Sequence, residues 1–364
     1  MSKYLVALAL VALSAAGAAR ADYQLVTVAE GLDNPWSLAF LPDGGYLVTE
    51  RTGALRRITP DGAVSPPLAG VPDSYFAGQG GLLEVMLHPD FPSNQLVYLS
   101  YAHGDLAANA TRIARGRLGA DGLSGTEVIF TASPTKDTPQ HYGGKLAFMP
   151  DGTLLLTTGD GFDYREEAQN IDSNLGKTIR INADGSIPPD NPLVERGGPG
   201  AAVWSYGHRN PQGLIVDPAT GIVYQHEHGP RGGDELNRIE PGHNYGWPAI
   251  CWGIDYSGAR ISPFTELPGM DQPLTYWVPS IAPSGLAIYR GERFPEWEGD
   301  LFVGALVNRE VRRLEMEDGK VVAEHAMFSE LGERIRDVRV SPDGYLYLVT
   351  DGAPGKVIRV ERER

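Results

Sequence analysis

Short apolar runs alternating with polar positions recur along the chain, and sustained apolar spacing of three and four is missing. That pattern predicts strands rather than long helices. The runs come in pairs around a turn of Pro-Asp-Gly type: LAFLPDGGYLVTE (38–50), VMLHPDFPSNQLVYLSY (85–101), LAFMPDGTLLLTTGD (146–160), LIVDPATGIVYQHE (214–227), IYRGERFPEWEGDLFVGAL (288–306) and VRVSPDGYLYLVTD (338–351). Pro presets one dihedral of such a turn and Gly accepts the strained one, which favours a tight hairpin. A third run follows most hairpins, at 54–58, 111–118, 310–316 and 356–361. The turns begin at Pro42, Pro89, Pro150, Pro218, Pro295 and Pro342, 47 to 77 residues apart, a propeller-like period with insertions between strands. We therefore expect an all-β fold, a six-bladed β-propeller in one domain. A β-sandwich, or two, is the competing architecture, disfavoured because each unit repeats the same internal order. The last unit lacks a fourth strand, and a free strand begins at Tyr23, so the N-terminal strand should complete the last blade and close the ring.

Composition agrees and adds a module at the start. The 45 Gly and 28 Pro residues suit a chain of many turns. Residues 1–21 combine Lys3, an apolar run from Tyr4 to Leu13 and a small-residue end at Ala19-Arg20-Ala21. This is the pattern of a secretory signal peptide cleaved after Ala21, leaving 22–364 as an exported, periplasmic or secreted domain that is not membrane-embedded. The apolar run is too short to span a bilayer. The net charge of −15 becomes −17 when Lys3 and Arg20 are lost, which argues against nucleic acid or an anionic membrane as partner. Cys251 is the only cysteine, so no intrachain disulfide can form.

The densest chemistry lies between Trp204 and Trp247, where His208, Arg209, Asn210, His226, Glu227, His228, Arg231, Asp234, Glu235, His243 and Asn244 surround Gly-rich turns. Such turns free carbonyl oxygens to face a cation, and with Asp234 and Glu235 they form a set of hard oxygen ligands of the kind Ca2+ takes. Arg209 beside Asn210 suits an anionic, carbonyl-bearing ligand. Gln79, Gln140-His141, Arg209-Asn210 and Arg334-Ile335-Arg336-Asp337 each precede an apolar strand of a different repeat, so a propeller would gather them at one end. His141 is the natural general base. His88 sits within a turn as a cap. Arg334 and Arg336 alternate with an apolar residue and share a strand face, with Asp337 on the other; a ligand's carboxylates or plain solvation would equally explain them. No zinc spacing, Gly-x-Ser-x-Gly elbow or helix-opening glycine fingerprint is present.

Several stretches, GLDNPWSLAFLPDG, GQGGLLEVMLHPDF, GHRNPQGL, EHGPRGGDELN, NYGWP, PSIAPSGLAIY and RIRDVRVSPDG, resemble the soluble PQQ-dependent aldose sugar dehydrogenases, relatives of soluble quinoprotein glucose dehydrogenase. The resemblance runs in order over nearly all of the mature chain. It implies PQQ held with Ca2+ over the channel mouth and oxidation of aldoses at C1 to lactones. His141 then matches the base and Arg209 the group that polarises the quinone. Gln79, Asn210, Arg334 and Arg336 match cofactor contacts. Gly229 and Pro230 match carbonyl ligands of the cofactor's Ca2+, and Glu235 with Tyr245 a second, structural Ca2+. Tyr276 and Trp277 are candidates for lining the sugar site. Electrons would pass to a separate cytochrome or the quinone pool, from a monomer or homodimer. Three departures bear on substrate choice: Gln140 replaces an Asp, His228 replaces a Gln, and Val307, with Arg309 nearby, replaces a lysine. The rivals are a Ca2+-dependent propeller lactonase, which has no need of the three cations Arg209, Arg334 and Arg336 for a dicarboxylate-bearing cofactor, and a non-catalytic sugar- or protein-binding propeller.

Overall fold

The computed structural model describes residues 23–363, so the expected signal peptide lies outside the described residues. Six antiparallel sheets make up the fold. Their first strands are Pro35–Phe40, Leu82–Leu87, Leu146–Phe148, Pro211–Val216, Pro283–Ile288 and Ile335–Val340. These open blades 1 to 6 of a β-propeller, as expected. Each Pro-containing turn joins the first strand of a blade to the second. In blades 1, 3 and 6 the turn is closed by the same pair of bonds: Leu41 N to Gly45 O and Gly44 N to Leu41 O, Met149 N to Thr153 O and Gly152 N to Met149 O, Ser341 N to Tyr345 O and Gly344 N to Ser341 O. The glycine of each sits at φ of 82° to 84°, a conformation that needs no Cβ.

Blades 2 to 5 have four strands each, drawn from consecutive sequence. Blade 6 takes its fourth from the N-terminus: Tyr23–Leu32 pairs antiparallel with Gly355–Arg362, from Tyr23 opposite Arg362 to Leu32 opposite Gly355. This closes the ring and gives blade 6 its fourth strand. Blade 1 has three strands, and its outer edge is covered by the chain after Leu55–Ile58, where Ser65 N donates to Arg57 O and Leu68 N to Leu55 O.

Apolar faces of neighbouring blades pack together. Tyr289, Phe294, Trp297 and Phe302 of blade 5 meet Ile335, Val338 and Leu348 of blade 6, and Leu47 and Leu55 of blade 1 meet Leu82, Val85 and Leu99 of blade 2. Burial of each such side chain is worth roughly 1.5–3 kcal/mol. The channel between the first strands is different. Glu84, Lys145, Asp337 and Arg339, from blades 2, 3 and 6, form a buried ion cluster: Lys145 Nζ lies 3.0 Å from Glu84 and 3.3 Å from Asp337, and Arg339 Nε 2.7 Å from Asp337. Ser37 Oγ of blade 1 donates to Glu84. Five of the six first strands carry a register shift near their start, at Pro35/Ser37, Leu82/Val85, Pro211/Gly213, Ser284/Leu286 and Ile335/Asp337. Bulges of this kind re-aim side chains, and all five lie at the same end of the ring.

Candidate functional site

Because the first two strands of a blade are antiparallel, residues entering the first strand and residues leaving the second share one end of the ring. Four blades use this in the same way, with an acid at the end of the second strand holding the segment that enters the first. Glu50 accepts Asp33 N in blade 1. Asp160 accepts His141 Nδ1 in blade 3. Glu227 accepts His208 Nδ1 and Arg209 N in blade 4. Asp351 accepts both Arg334 and Arg336 in blade 6. Burying a carboxylate is costly unless it is hydrogen-bonded, and these four are spent on positioning the loops that carry the candidate residues.

His141 sits with its backbone at φ 50° and its ring buried. Its N–H donates to Gln79 Oε1 at 2.8 Å, and Nδ1 donates to Asp160 Oδ1 at 2.6 Å. The other oxygen of Asp160 accepts Trp247 Nε1 at 2.7 Å. Nε2 forms no hydrogen bond among the described residues, so the free lone pair is on the nitrogen away from Asp160. Burial lowers the pKa of His141 below the ordinary histidine value; Asp160 opposes this, and Arg209 and Lys136 add to it. The imidazole is therefore neutral near pH 7 and able to accept a proton at Nε2. Asp160 was not singled out in the sequence, although it ends the strand LLLTTGD in the position that acids take in three other blades.

Arg209 is buried beside this pair. Its carbonyl accepts Asp160 N, and its guanidinium lies 5.3 Å over the Trp247 ring and donates to the carbonyls of His228 and Gly229 at 3.0 and 2.6 Å. Of the two backbone oxygens expected to face a metal, that of Gly229 thus already faces a positive charge. A Cβ on Gly229 would lie 2.3–2.4 Å from the backbone of Gly232 and Gly233, so only glycine permits this tight loop. Asp234, which the sequence offered as a metal ligand, is committed elsewhere: it accepts Gly229 N, Ser280 Oγ, Ile281 N and Ala282 N, and so ties the loop to blade 5. Glu235 stands opposite Glu227 on the neighbouring strand. Burial first, then the charges of Glu227 and Asp234, push its pKa up to about 8. Such a carboxylate lacks a cation. The Tyr245 hydroxyl donates to Arg238 O and accepts Glu240 N, which leaves its backbone as the part able to meet an ion. Among the described residues no group of three or more His, Cys, Asp or Glu side chains could hold a metal, so an ion here would rest largely on backbone oxygens.

A cavity of about 350 Å³ opens next to His141, whose neighbours Tyr142 and Gly143 line it. Gln79, Asn210, Arg334 and Arg336 line it too, brought together from blades 2, 4 and 6, with His228 and Val307 on the wall. Asn210 Oδ1 faces Gly143 N at 3.3 Å. His228 donates Nε2–H to Pro283 O at 2.7 Å, and burial takes its pKa down to about 3, so it is a neutral wall residue. Arg309 turns away and donates to Gly332 O, so it does not supply a cation where Val307 stands. Tyr276 and Trp277 line neither this cavity nor its larger neighbour. Trp277 is buried with Nε1 on Glu324 of blade 5, and Tyr276 stacks at 4.0 Å on Trp252, which with Tyr256 lines the neighbouring space. In the three-residue fourth strand Thr275–Trp277 the two rings take opposite faces, Trp277 into the core and Tyr276 to the surface, and so short a strand could not be recognised from its pattern.

A neutral buried imidazole oriented by a carboxylate, beside a cation-lined cavity at one end of a six-bladed ring, defines an enzyme built from propeller loops. The chain belongs to the family described as Glucose / Sorbosone dehydrogenase, whose model matches residues 32–359, and it is accordingly an oxidoreductase. It is similar to Aldose sugar dehydrogenase YliI of Escherichia coli, with 42% identity over 353 residues covering 95% of each chain. A crystal structure of a glucose dehydrogenase matches with 48% identity and a TM-score of 0.90 over 92% of this chain and 99% of the other. The PQQ-bound form of Aldose Sugar Dehydrogenase from Streptomyces coelicolor matches with 31% identity and a TM-score of 0.78, over 94% and 99%.

Proposed function

We propose that this protein oxidises aldose sugars at C1 to lactones with PQQ as oxidant and Ca2+ beside it, and that it acts after export. The observation that carries the reading is the convergence of Gln79, Asn210, Arg334 and Arg336 around one cavity whose edge is formed by the neighbours of His141. The charges there fit the group: two arginines share one carboxylate, Asp351, which leaves positive charge for carboxylates of a ligand. When bound, PQQ supplies a two-electron acceptor for the hydrogen that leaves C1 with its electron pair.

The chain's own residues do the rest. His141 Nε2 takes the proton of the C1 hydroxyl, and Asp160 holds the ring in the tautomer that allows it and stabilises the imidazolium that forms. Arg209 places a fixed positive charge where negative charge develops. Gln79 links sugar and base, since its carbonyl already holds His141 N. Gly229 and Pro230 would hold Ca2+ through their carbonyls, and Glu235 with Tyr245 a second ion. Loss of a proton and a hydride from a cyclic aldose leaves the lactone. The two electrons removed from the sugar would then pass to a separate acceptor, a cytochrome or the quinone pool, with the enzyme a monomer or homodimer. Cleavage after Ala21 would leave 22–364 as the mature domain in the periplasm or outside the cell.

The test is to load the purified protein with PQQ and Ca2+ and follow dye reduction with a panel of aldoses. Reduction with at least one sugar that needs both additions is expected. No reduction with any sugar, together with lactone hydrolysis in the absence of PQQ, would move the reading to the lactonase.

A further inference from the structure

We propose that Arg51 is a third cation of the cofactor cavity, placed to bind a carboxylate of the bound polycarboxylate directly; this rests on the reading just given. Arg51 leaves the second strand of blade 1, Tyr46–Glu50, and lines the same cavity as Arg334, Arg336 and Asp351. The two blade 6 arginines share Asp351, at 2.8 Å each. Arg51 makes no ion pair among the described residues; its guanidinium donates to Gly78 O at 3.1 Å and lies 5.3 Å over the Phe76 ring. Three guanidinium groups thus surround one cavity with a single carboxylate among them. Like charges gathered out of bulk water repel unless an anion joins them. Burial, and then the charge of Arg336, hold the pKa of Arg51 below the ordinary guanidinium value, with the charge of Asp351 opposing them.

The placement is built rather than incidental. Arg51 N donates to Asn34 O, and Asn34 N donates to Gly352 O beside Asp351, so blade 6 fixes the backbone from which Arg51 extends. Its stem crosses Gly81, where a Cβ would lie 2.7 Å from Arg51 Cγ and 2.0 Å from its carbonyl oxygen. The last glycine of GQGG therefore has a steric reason: it lets this side chain lie against the loop that carries Gln79. Val307 on the same wall is uncharged and Arg309 turns away to Gly332 O, so Arg51 is the cation that joins Arg334 and Arg336 there.

Equilibrium titration of the metal-loaded, cofactor-free protein with PQQ, read by quenching of tryptophan fluorescence, tests this without turnover. Arg51→Gln should weaken PQQ binding roughly ten- to a hundredfold, the scale of one charge-assisted bond. Arg51→Lys should recover part of the loss, and the thermal midpoint of the cofactor-free Arg51→Gln protein should not fall. Arg51→Gln binding PQQ as tightly as the wild type would overturn the assignment, as would a weakened variant whose thermal midpoint has dropped and which Lys does not rescue. Failure of the wild type itself to bind PQQ would instead overturn the cofactor reading, and this proposal with it.

Discussion

His141 and Asp160 stand 2.6 Å apart, Nδ1 against Oδ1, with one residue entering the first strand of blade 3 and the other leaving the second. The contact fixes which imidazole nitrogen carries the proton. It also separates two effects that substitution can resolve, since burial lowers the His141 pKa while Asp160 raises it. His141→Ala should keep PQQ binding and lose turnover by roughly 10²–10⁴-fold. Asp160→Asn should also slow turnover, and by removing the raising influence it should move the acid limb of kcat/KM to lower pH. The wild-type limb should itself lie below the ordinary histidine value. A limb that moves upward in Asp160→Asn would show that another group is titrating.

The two blade 6 arginines should differ in weight. The Arg336 side chain is 12% exposed and grips Asp351 through two nitrogens, whereas that of Arg334 is 44% exposed. Exposed pairs contribute about 0–1 kcal/mol, and charge-assisted bonds away from water about 1.5–3 kcal/mol. Arg336→Ala should therefore weaken PQQ binding by more than tenfold, and Arg334→Ala by less. Equal losses in a PQQ titration would contradict this ordering.

Much of this was legible because the repeat is. The Pro-Asp-Gly turns at 42–44, 150–152 and 342–344 carry the same hydrogen bonds in three blades, so their spacing announced both the blade count and the strand order. The closing strand could be read because the last unit lacked a partner and residues from Tyr23 on had none. His141, Arg209, Asn210 and Arg336 were recognisable as residues that enter first strands. Asp160, Asp351 and Arg51 were not, because they leave second strands, and which entering segment they meet is set by strand pairing rather than by local pattern. The acids Glu50, Asp160, Glu227 and Asp351 at that position were nevertheless a visible signal. Trp277 and Tyr276 misled because side-chain direction in a three-residue edge strand depends on its pairing with Asp234–Ile239, which local sequence does not specify.

The ion cluster on the axis leads to a stability prediction. Glu84, Lys145, Asp337 and Arg339 pair two carboxylates with two cations, the first three buried and Arg339 partly so, and Lys145 Nζ also lies 4.1 Å over the Trp36 ring beneath the cavity. Removing one member leaves an uncompensated charge. Glu84→Ala should cost on the order of 3–5 kcal/mol, read by chemical denaturation of the cofactor-free protein. A loss under about 1 kcal/mol, the scale of a surface pair, would mean that water reaches the axis.

Glu235 offers the sharpest test of a metal. It faces Glu227 across the strand pair, and its own hydrogen bond is a long one from Asn237 at 3.3 Å. With its pKa pushed up to about 8 against roughly 4.3 unfolded, folding without metal favours the protonated acid. The native state then binds more protons than the unfolded one between those values, so this group makes the metal-free protein lose stability as pH rises from near 4.3 through about 8. A divalent cation beside the carboxylate would reverse the preference, because it binds only the ionised form. Thermal unfolding between pH 5 and 8.5 should therefore fall with pH in a chelator, and Ca2+ should restore most at the alkaline end. Glu235→Gln should flatten the profile in chelator and lose the alkaline Ca2+ response. Parallel profiles for wild type and Glu235→Gln, with or without Ca2+, would remove Glu235 from any metal site.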